Sequence, residues 1–197
     1  MLDDIKRTMS ILSDSVNSIH EREFEALVKD CVQTLNGNGR VIASGLGKNV
    51  PICEKFVGTM VSLGLDAAFL HTNSAVHGDL GVVRDSDLVI LLTKSGETSE
   101  SIHLARLLKK RNCIIWLLSF NIGSTLYNEI QNHIIIDLEH EGDMWNILPN
   151  NSSVLNLILL QELAISIART QSVKVETLFA NHPGGAIGSL SRRVAQV

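Results

Sequence analysis

No block of lysine and arginine interrupts this 197-residue chain, whose formal net charge is −4. That argues against a nucleic-acid surface, which needs clustered basic side chains. Cysteine is scarce and scattered. Cys31, Cys53 and Cys113 are an odd number, lie far apart in apolar stretches and form no C-x-x-C pair. Buried free thiols in a reducing compartment are therefore expected, not a zinc knuckle. The amino terminus, Met1-Leu2-Asp3-Asp4-Ile5, is acidic and lacks the charged-then-apolar order of a secretory signal. No apolar run approaches the roughly 18 residues that cross a bilayer. A cytoplasmic, soluble protein without membrane or nucleic-acid partners follows as the expectation. Internal repeats, low-complexity tracts and linkers are missing too. What is present is a hydrophobic fraction of 45%, enough for a sizeable core in one domain.

Residues 2–35 read as helical. Ile5, Met9, Leu12, Val16 and Ile19 form one apolar stripe; Phe24, Leu27, Val28, Cys31, Val32 and Leu35 form a second. Asn36-Gly37-Asn38-Gly39 ends this region. Residues 1–39 are thus expected to form a helical segment packed on a core made by residues 40–197, or on another subunit. Strands and helices then alternate. Val41-Ile42-Ala43, Ala67-Ala68-Phe69-Leu70-His71, residues 88–92, Ile114-Ile115-Trp116-Leu117-Leu118 and Ile134-Ile135-Ile136 read as five strands. Ile52 to Val61 marks a helix that stops near Gly64, and residues 152–170 a long apolar one. The strands are continuous apolar runs, so both sheet faces are covered. The expected class is α/β, a three-layer αβα sandwich around a five-stranded parallel sheet. Its ligands belong beyond the carboxyl ends of the strands.

One stretch there carries phosphate chemistry. Leu88-Val89-Ile90-Leu91-Leu92 runs into Thr93-Lys94-Ser95-Gly96-Glu97-Thr98-Ser99-Glu100 and then into a helix. A strand turning through glycine into a helix directs free N–H groups and the positive dipole end at whatever sits above. Thr93, Ser95, Thr98 and Ser99 add hydroxyls. The same pattern also describes an ordinary capped helix start. At another strand end stands Ser44-Gly45-Leu46-Gly47-Lys48-Asn49. It is no dinucleotide fingerprint, since Val50 stands where the third glycine belongs. It is no P-loop either, since Ile42 and Asn49 replace the required glycine and Ser/Thr. What remains is a backbone-accessible turn with Lys48, either an oxyanion stabiliser or a solvated turn lysine.

His77 lies in a loop after the second strand, and His182 in a helix-terminating turn. A lone loop histidine such as His77 is more often structural, and His182 alone also reads as a helix breaker with a histidine favoured at a helix C-terminus. Glu139-His140-Glu141-Gly142-Asp143 has metal-ligand residue types without spacing that converges them, so no metal is expected. Their joint placement says more. Lys48, His77, Glu100 and Glu141 all fall just past strand ends. A lysine, carboxylates and histidines beside a phosphate cradle suit proton abstraction next to a carbonyl.

Gly45-Leu46-Gly47-Lys48, His77-Gly78-Asp79-Leu80-Gly81, Ser95-Gly96-Glu97-Thr98 and His182-Pro183-Gly184-Gly185, in this order, resemble the sugar isomerase (SIS) domain. Within it the set is similar to arabinose-5-phosphate isomerases of the 3-deoxy-D-manno-octulosonate pathway, across about residues 40–189. The resemblance implies a flavodoxin-like SIS fold, assembly as a homotetramer, and interconversion of D-ribulose 5-phosphate and D-arabinose 5-phosphate through an enediolate, without a cofactor. Thr93, Ser95 and Thr98 would hold the phosphate, with Ser44, Gly45, Gly47, Gly96 and Glu97 completing the binding turns. Lys48, His77, Glu100, Glu141 and His182 match the catalytic positions. A histidine, His182 first, would open or orient the sugar, and Lys48 would offset developing charge. Glu141 is preferred over Glu100 as base, since a helix first turn favours the ionised, less basic form. His77 or His182 would serve a neighbouring subunit's pocket.

Departures from the family pattern are specific. Lys94 stands where a small polar residue is usual, and Asn49-Val50 where Ser-Gly is. The run 142–151 replaces a Pro-Leu-Gly-Leu-Ala-Pro-Thr type of loop, which bears on which sugar is bound. Many relatives carry paired CBS domains after the glycine pair, and this chain, read to Val197, is expected to lack them. Two other functions fit the residues: an isomerase for another sugar phosphate such as a hexulose 6-phosphate, and a non-catalytic sugar-phosphate sensor.

Overall fold

The computed structural model of the chain describes residues 2–194. Two helices, α1 (Leu2–Asn17) and α2 (Glu21–Asn36), lead into β1 (Val41–Gly45), α3 (Asn49–Ser62) and β2 (Ala67–His71). Two short 3₁₀ turns, Ser74–His77 and Asp79–Val82, precede β3 (Leu88–Leu92) and α4 (Ser99–Leu108). Then follow β4 (Ile114–Ser119), α5 (Thr125–Glu129), β5 (Asn132–Ile135), α6 (Asn151–Thr170), α7 (Val175–Ala180) and α8 (Gly185–Val194).

All five strands pair in parallel in the order β2-β1-β3-β4-β5. The apolar runs explain why. In β3, Leu88, Ile90 and Leu92 enter the core under α1, α2, α3 and α6, while Val89 and Leu91 enter a second core under α4, α5 and the 3₁₀ turns. The period-two backbone sends alternate side chains to opposite faces, so a strand buried on both faces must be apolar throughout. Every residue of β1 and β3 is buried.

Residues 2–35 are helical, as two helices that carry the two stripes. Ser18 breaks the run: its hydroxyl donates to the Ser15 carbonyl at 2.7 Å and accepts from the Asp137 N–H at 3.0 Å. Of the upstream stripe only Leu12 is buried; Ile5 and Met9 stand about 60% exposed. One expectation, on apolar length, needs correction. α6 has 20 residues and is apolar enough, by length and composition, to cross a membrane. Scattered polar residues hid this in the sequence. In the fold it is a core helix, with Leu155, Leu160, Leu163 and Ile167 buried against α2 and α3. The three cysteines are free thiols, as expected. Burial pushes the Cys53 thiol up to about 12.

Candidate active site

The crossover after β1 runs to one side of the sheet, to β2, and the chain re-enters on the other side at β3. Such a switch in direction leaves a crevice at the carboxyl ends of β1 and β3. A cleft of about 520 Å³ lies there, within the range of small-molecule sites. Its walls are the β1–α3 turn (Leu46, Gly47, Lys48, Asn49), the β3–α4 turn (Thr93, Lys94, Ser95, Thr98, Ser101) and the start of α6 (Pro149, Ser152, Asn156). A hollow of similar volume, about 540 Å³, lies between α2 and α6, but helix side chains such as Phe24, Val28 and Val32 line it.

The β3–α4 turn is locked from outside. Gly96 has φ +66°, and a Cβ there would collide with Ser124. Its N–H donates to the Thr93 hydroxyl at 3.3 Å, and the Glu97 N–H donates to the Ser95 hydroxyl at 3.1 Å. The Thr98 side chain makes no capping bond to α4, and of the first-turn N–H groups that of Glu100 is engaged by its own carboxylate, so the others remain to meet an anion. Glu97 differs from the expectation that it meets substrate. Its carboxylate accepts from the N–H and hydroxyl of Thr125 at 2.7 and 2.8 Å, anchoring the turn to the start of α5. Those two bonds hold its carboxyl below the usual range.

The β1–α3 turn is looser. Lys48 is exposed and makes no hydrogen bond or ion pair among the described residues. Gly47 has φ +59° and open space beside it. Gly45 is needed for packing: a Cβ there would press on Asn49 and Cys53. Ser44 is another correction. It is fully buried beneath the rim, its hydroxyl paired with that of Thr72 at 3.0 Å, and it does not line the cleft.

Glu141 reaches the cleft through its partners. Its side chain is 1% exposed and forms an ion pair with Lys94 at 2.6 Å. Its carboxylate also accepts from the Ser152 hydroxyl at 2.6 Å, the Ser152 N–H at 2.9 Å and the Asn150 N–H at 3.0 Å. It therefore caps α6. Burial pushes its carboxyl up, but the bonds from Lys94 and Ser152 outweigh that and hold it below the usual range. Asn49 ties the walls together, donating to the Leu92 carbonyl at 3.4 Å and accepting from Asn156 at 3.1 Å.

Three expected residues lie elsewhere in the protomer. Glu100 is exposed in the first turn of α4, accepts from the Ser99 hydroxyl at 2.8 Å and does not line the cleft. The N–H at the helix start and the Ser99 hydroxyl lower its pKa. His77 is exposed at the end of a 3₁₀ turn beyond β2. His182 is bonded to the Leu178 carbonyl at 2.8 Å, and its neighbour Asn181 donates to the Val61 and Ser62 carbonyls at the far end of α3. The 14 residues of α3, about 21 Å of helix, separate that point from Lys48. No three His, Cys, Asp or Glu side chains converge on a metal position among the described residues. Sequence reasoning missed Ser101, Ser152 and Asn156 as wall residues. Their one signal was position at helix starts that face β3.

The SIS domain family is matched over residues 34–186. The chain belongs to the SIS family. It is 31% identical over 183 residues to the arabinose 5-phosphate isomerase KdsD of Pseudomonas aeruginosa, covering 93% of this chain and 56% of that protein. It is 34% identical over 164 residues to KpsF of Escherichia coli, also named an arabinose 5-phosphate isomerase, covering 83% of this chain and 52% of KpsF. This SIS chain thus spans about half the length of the curated relatives it matches. Among solved structures it superposes on an E. coli protein in complex with arabinose 5-phosphate, with TM-score 0.81, 29% identity, and coverage of 91% of this chain and 95% of that one.

Proposed function

We propose that this SIS domain is an aldose–ketose isomerase interconverting D-ribulose 5-phosphate and D-arabinose 5-phosphate. The observation that carries the reading is one cleft lined by a hydroxyl-bearing turn and by Lys48, which has no partner among the described residues, with the buried Glu141 carboxylate directly behind two of its wall residues, Lys94 and Ser152. The solved relative with arabinose 5-phosphate bound and the names of the curated relatives support the pentose. The phosphate sits on the β3–α4 turn, held by first-turn N–H groups of α4 and the hydroxyls of Thr93, Ser95 and Thr98. That places the sugar's far end toward Lys48 and Glu141.

Glu141 takes a proton from C1 of the open-chain ketose. The C–H pair forms the C1=C2 bond and the carbonyl pair moves onto O2, where Lys48 offsets the charge. The carboxylic acid returns the proton to C2 while the O1 proton passes to O2, leaving the aldehyde. Atoms and charge balance without a cofactor. His77 and His182, neither of which lines its own cleft, act in a neighbouring subunit of a cytoplasmic homotetramer, where a histidine opens the furanose ring. Glu100, out in solvent, belongs with them at that shared edge.

The test incubates the full chain with ribulose 5-phosphate and follows arabinose 5-phosphate by ¹³C NMR, with a hexulose 6-phosphate in parallel. Pentose turnover is expected. Turnover of the hexulose alone reassigns the substrate. Thermal stabilisation by either sugar without turnover makes the protein a sensor and overturns the enzyme reading.

A further inference from the structure

Glu141 is an unusual base as it stands, because nothing on it is free. A carboxylate has about four acceptor positions. Oε1 takes Lys94 and the Ser152 hydroxyl, and Oε2 takes the Asn150 and Ser152 N–H groups. Three of these donors belong to the start of α6: two backbone N–H groups and the hydroxyl of Ser152 beside them. The fourth is different. Lys94 sits on a long flexible stem, is 42% exposed against 1% for its partner, and lies between Thr93 and Ser95 in the turn that faces the cleft. It can leave without disturbing the cap of α6, which keeps its two N–H donors.

We propose that Lys94 is a substrate-operated gate on Glu141: its ammonium occupies Oε1 while the cleft is empty, and an anionic sugar phosphate draws it away and frees that oxygen for proton transfer. A phosphate dianion on the β3–α4 turn competes directly for a cation carried by that turn. What the departing lysine leaves behind is a carboxylate buried with three neutral donors. Burial disfavours the charged form, so its affinity for a proton rises at the moment substrate arrives. The groups around Glu141 are few. Lys94 comes from the β3–α4 turn, Lys48 stands on the opposite wall, and Asn150 and Ser152 of α6 are neutral. His140 and Asp143 of its own loop, with Asp4 and Arg7 of α1, line a separate hollow. Asp143 is itself occupied by the N–H groups of Trp145, Ile147 and Leu148. Lys94 is thus a positioning residue, acting through Glu141.

This inference rests on the isomerase reading, and the test separates the two. The acid limb of kcat/KM reports Glu141 in the free protein, and that of kcat reports it in the complex. In the wild type the kcat limb should lie at higher pH than the kcat/KM limb. Lys94→Met should raise the kcat/KM limb to meet it, leave the kcat limb in place and raise KM about tenfold through one lost charge-assisted bond. Lys94→Arg should restore the separation of the limbs. Coincident limbs in the wild type, or a Lys94→Met variant in which both move together, overturn the gate while leaving the isomerase intact. If the protein binds arabinose 5-phosphate without turnover, calorimetry in two buffers should show more proton uptake on binding to the wild type than to Lys94→Met. Equal uptake overturns the gate. If the protein neither turns over nor binds any sugar phosphate, the isomerase reading is overturned, and the gate falls with it.

Discussion

The two strand-to-helix turns that face each other across the cleft are built in opposite ways. The β3–α4 turn is tied down on every side. Ser124 presses on Gly96, Thr125 holds Glu97, Asn121 donates to the Ser95 carbonyl at 2.9 Å, and the Lys94 carbonyl accepts from the Ser119 hydroxyl at 3.2 Å. The β1–α3 turn has open space at Gly47, a free lysine and one asparagine stitch. The difference matches two physical tasks. A phosphate is a fixed dianion, best met by donors already in position, so that no ordering cost falls on binding. An oxyanion that exists only during the reaction is met by a charge that can follow it, and a lysine on a loose turn does that.

Four substitutions sharpen or break this contrast. Gly96→Ala should do the most damage, since both the positive φ and the Ser124 contact oppose a Cβ. A stability loss of about 3 kcal/mol is expected, read as a lower Tm, with loss of phosphate binding by calorimetry. Lys48→Ala should be the mirror image. Tm should stay within a degree or so, while kcat falls on the order of 100-fold in a steady-state assay. A large drop in Tm there would mean that the loose turn is structural after all. Asn49→Ala removes the bonds from Asn49 to the Leu92 carbonyl and to Asn156, and leaves the Asn156 amide without its partner. It should cost about 1–2 kcal/mol in denaturant titration, with a rise in KM larger than any fall in kcat.

Glu97→Gln should be the mildest, a small drop in Tm with several-fold higher KM for the phosphate ester. Its pH dependence is diagnostic. The Thr125 bonds lower the Glu97 pKa in the folded chain. The stability they contribute is therefore present above the unfolded value of about 4.3 and is lost as pH falls through the folded one. The Tm gap between wild type and Glu97→Gln should close in acid. A gap that persists there would show that Glu97 stabilises the turn through shape and not through charge.

Much of the fold was legible because it depends on local pattern. Five apolar runs separated by helical stripes specify a covered parallel sheet, and glycine-bearing turns mark its carboxyl edge. Strand limits differed by a residue or two, as at β5, where Asn132 and His133 pair with Trp116 and Leu117 despite their polarity. An edge strand tolerates polar side chains that a central one does not. The site was legible by half. Lys48, Thr93, Ser95 and Thr98 do line the cleft, because backbone position alone puts them there. Ser44 and Glu97 lie at the right rim but turn away, toward Thr72 and Thr125.

Residue order by itself determined the sheet, its parallel sense and the rim on which chemistry had to gather, because burial periodicity and crossover handedness are consequences of neighbours along the chain. Which rim side chains meet was decided only in three dimensions. Glu97 finds Thr125 after 28 residues, and Glu141, beyond β5, finds Lys94 beyond β3. A charged group settles on whichever donors the packed elements bring within reach, and their distance along the chain carries no trace of that.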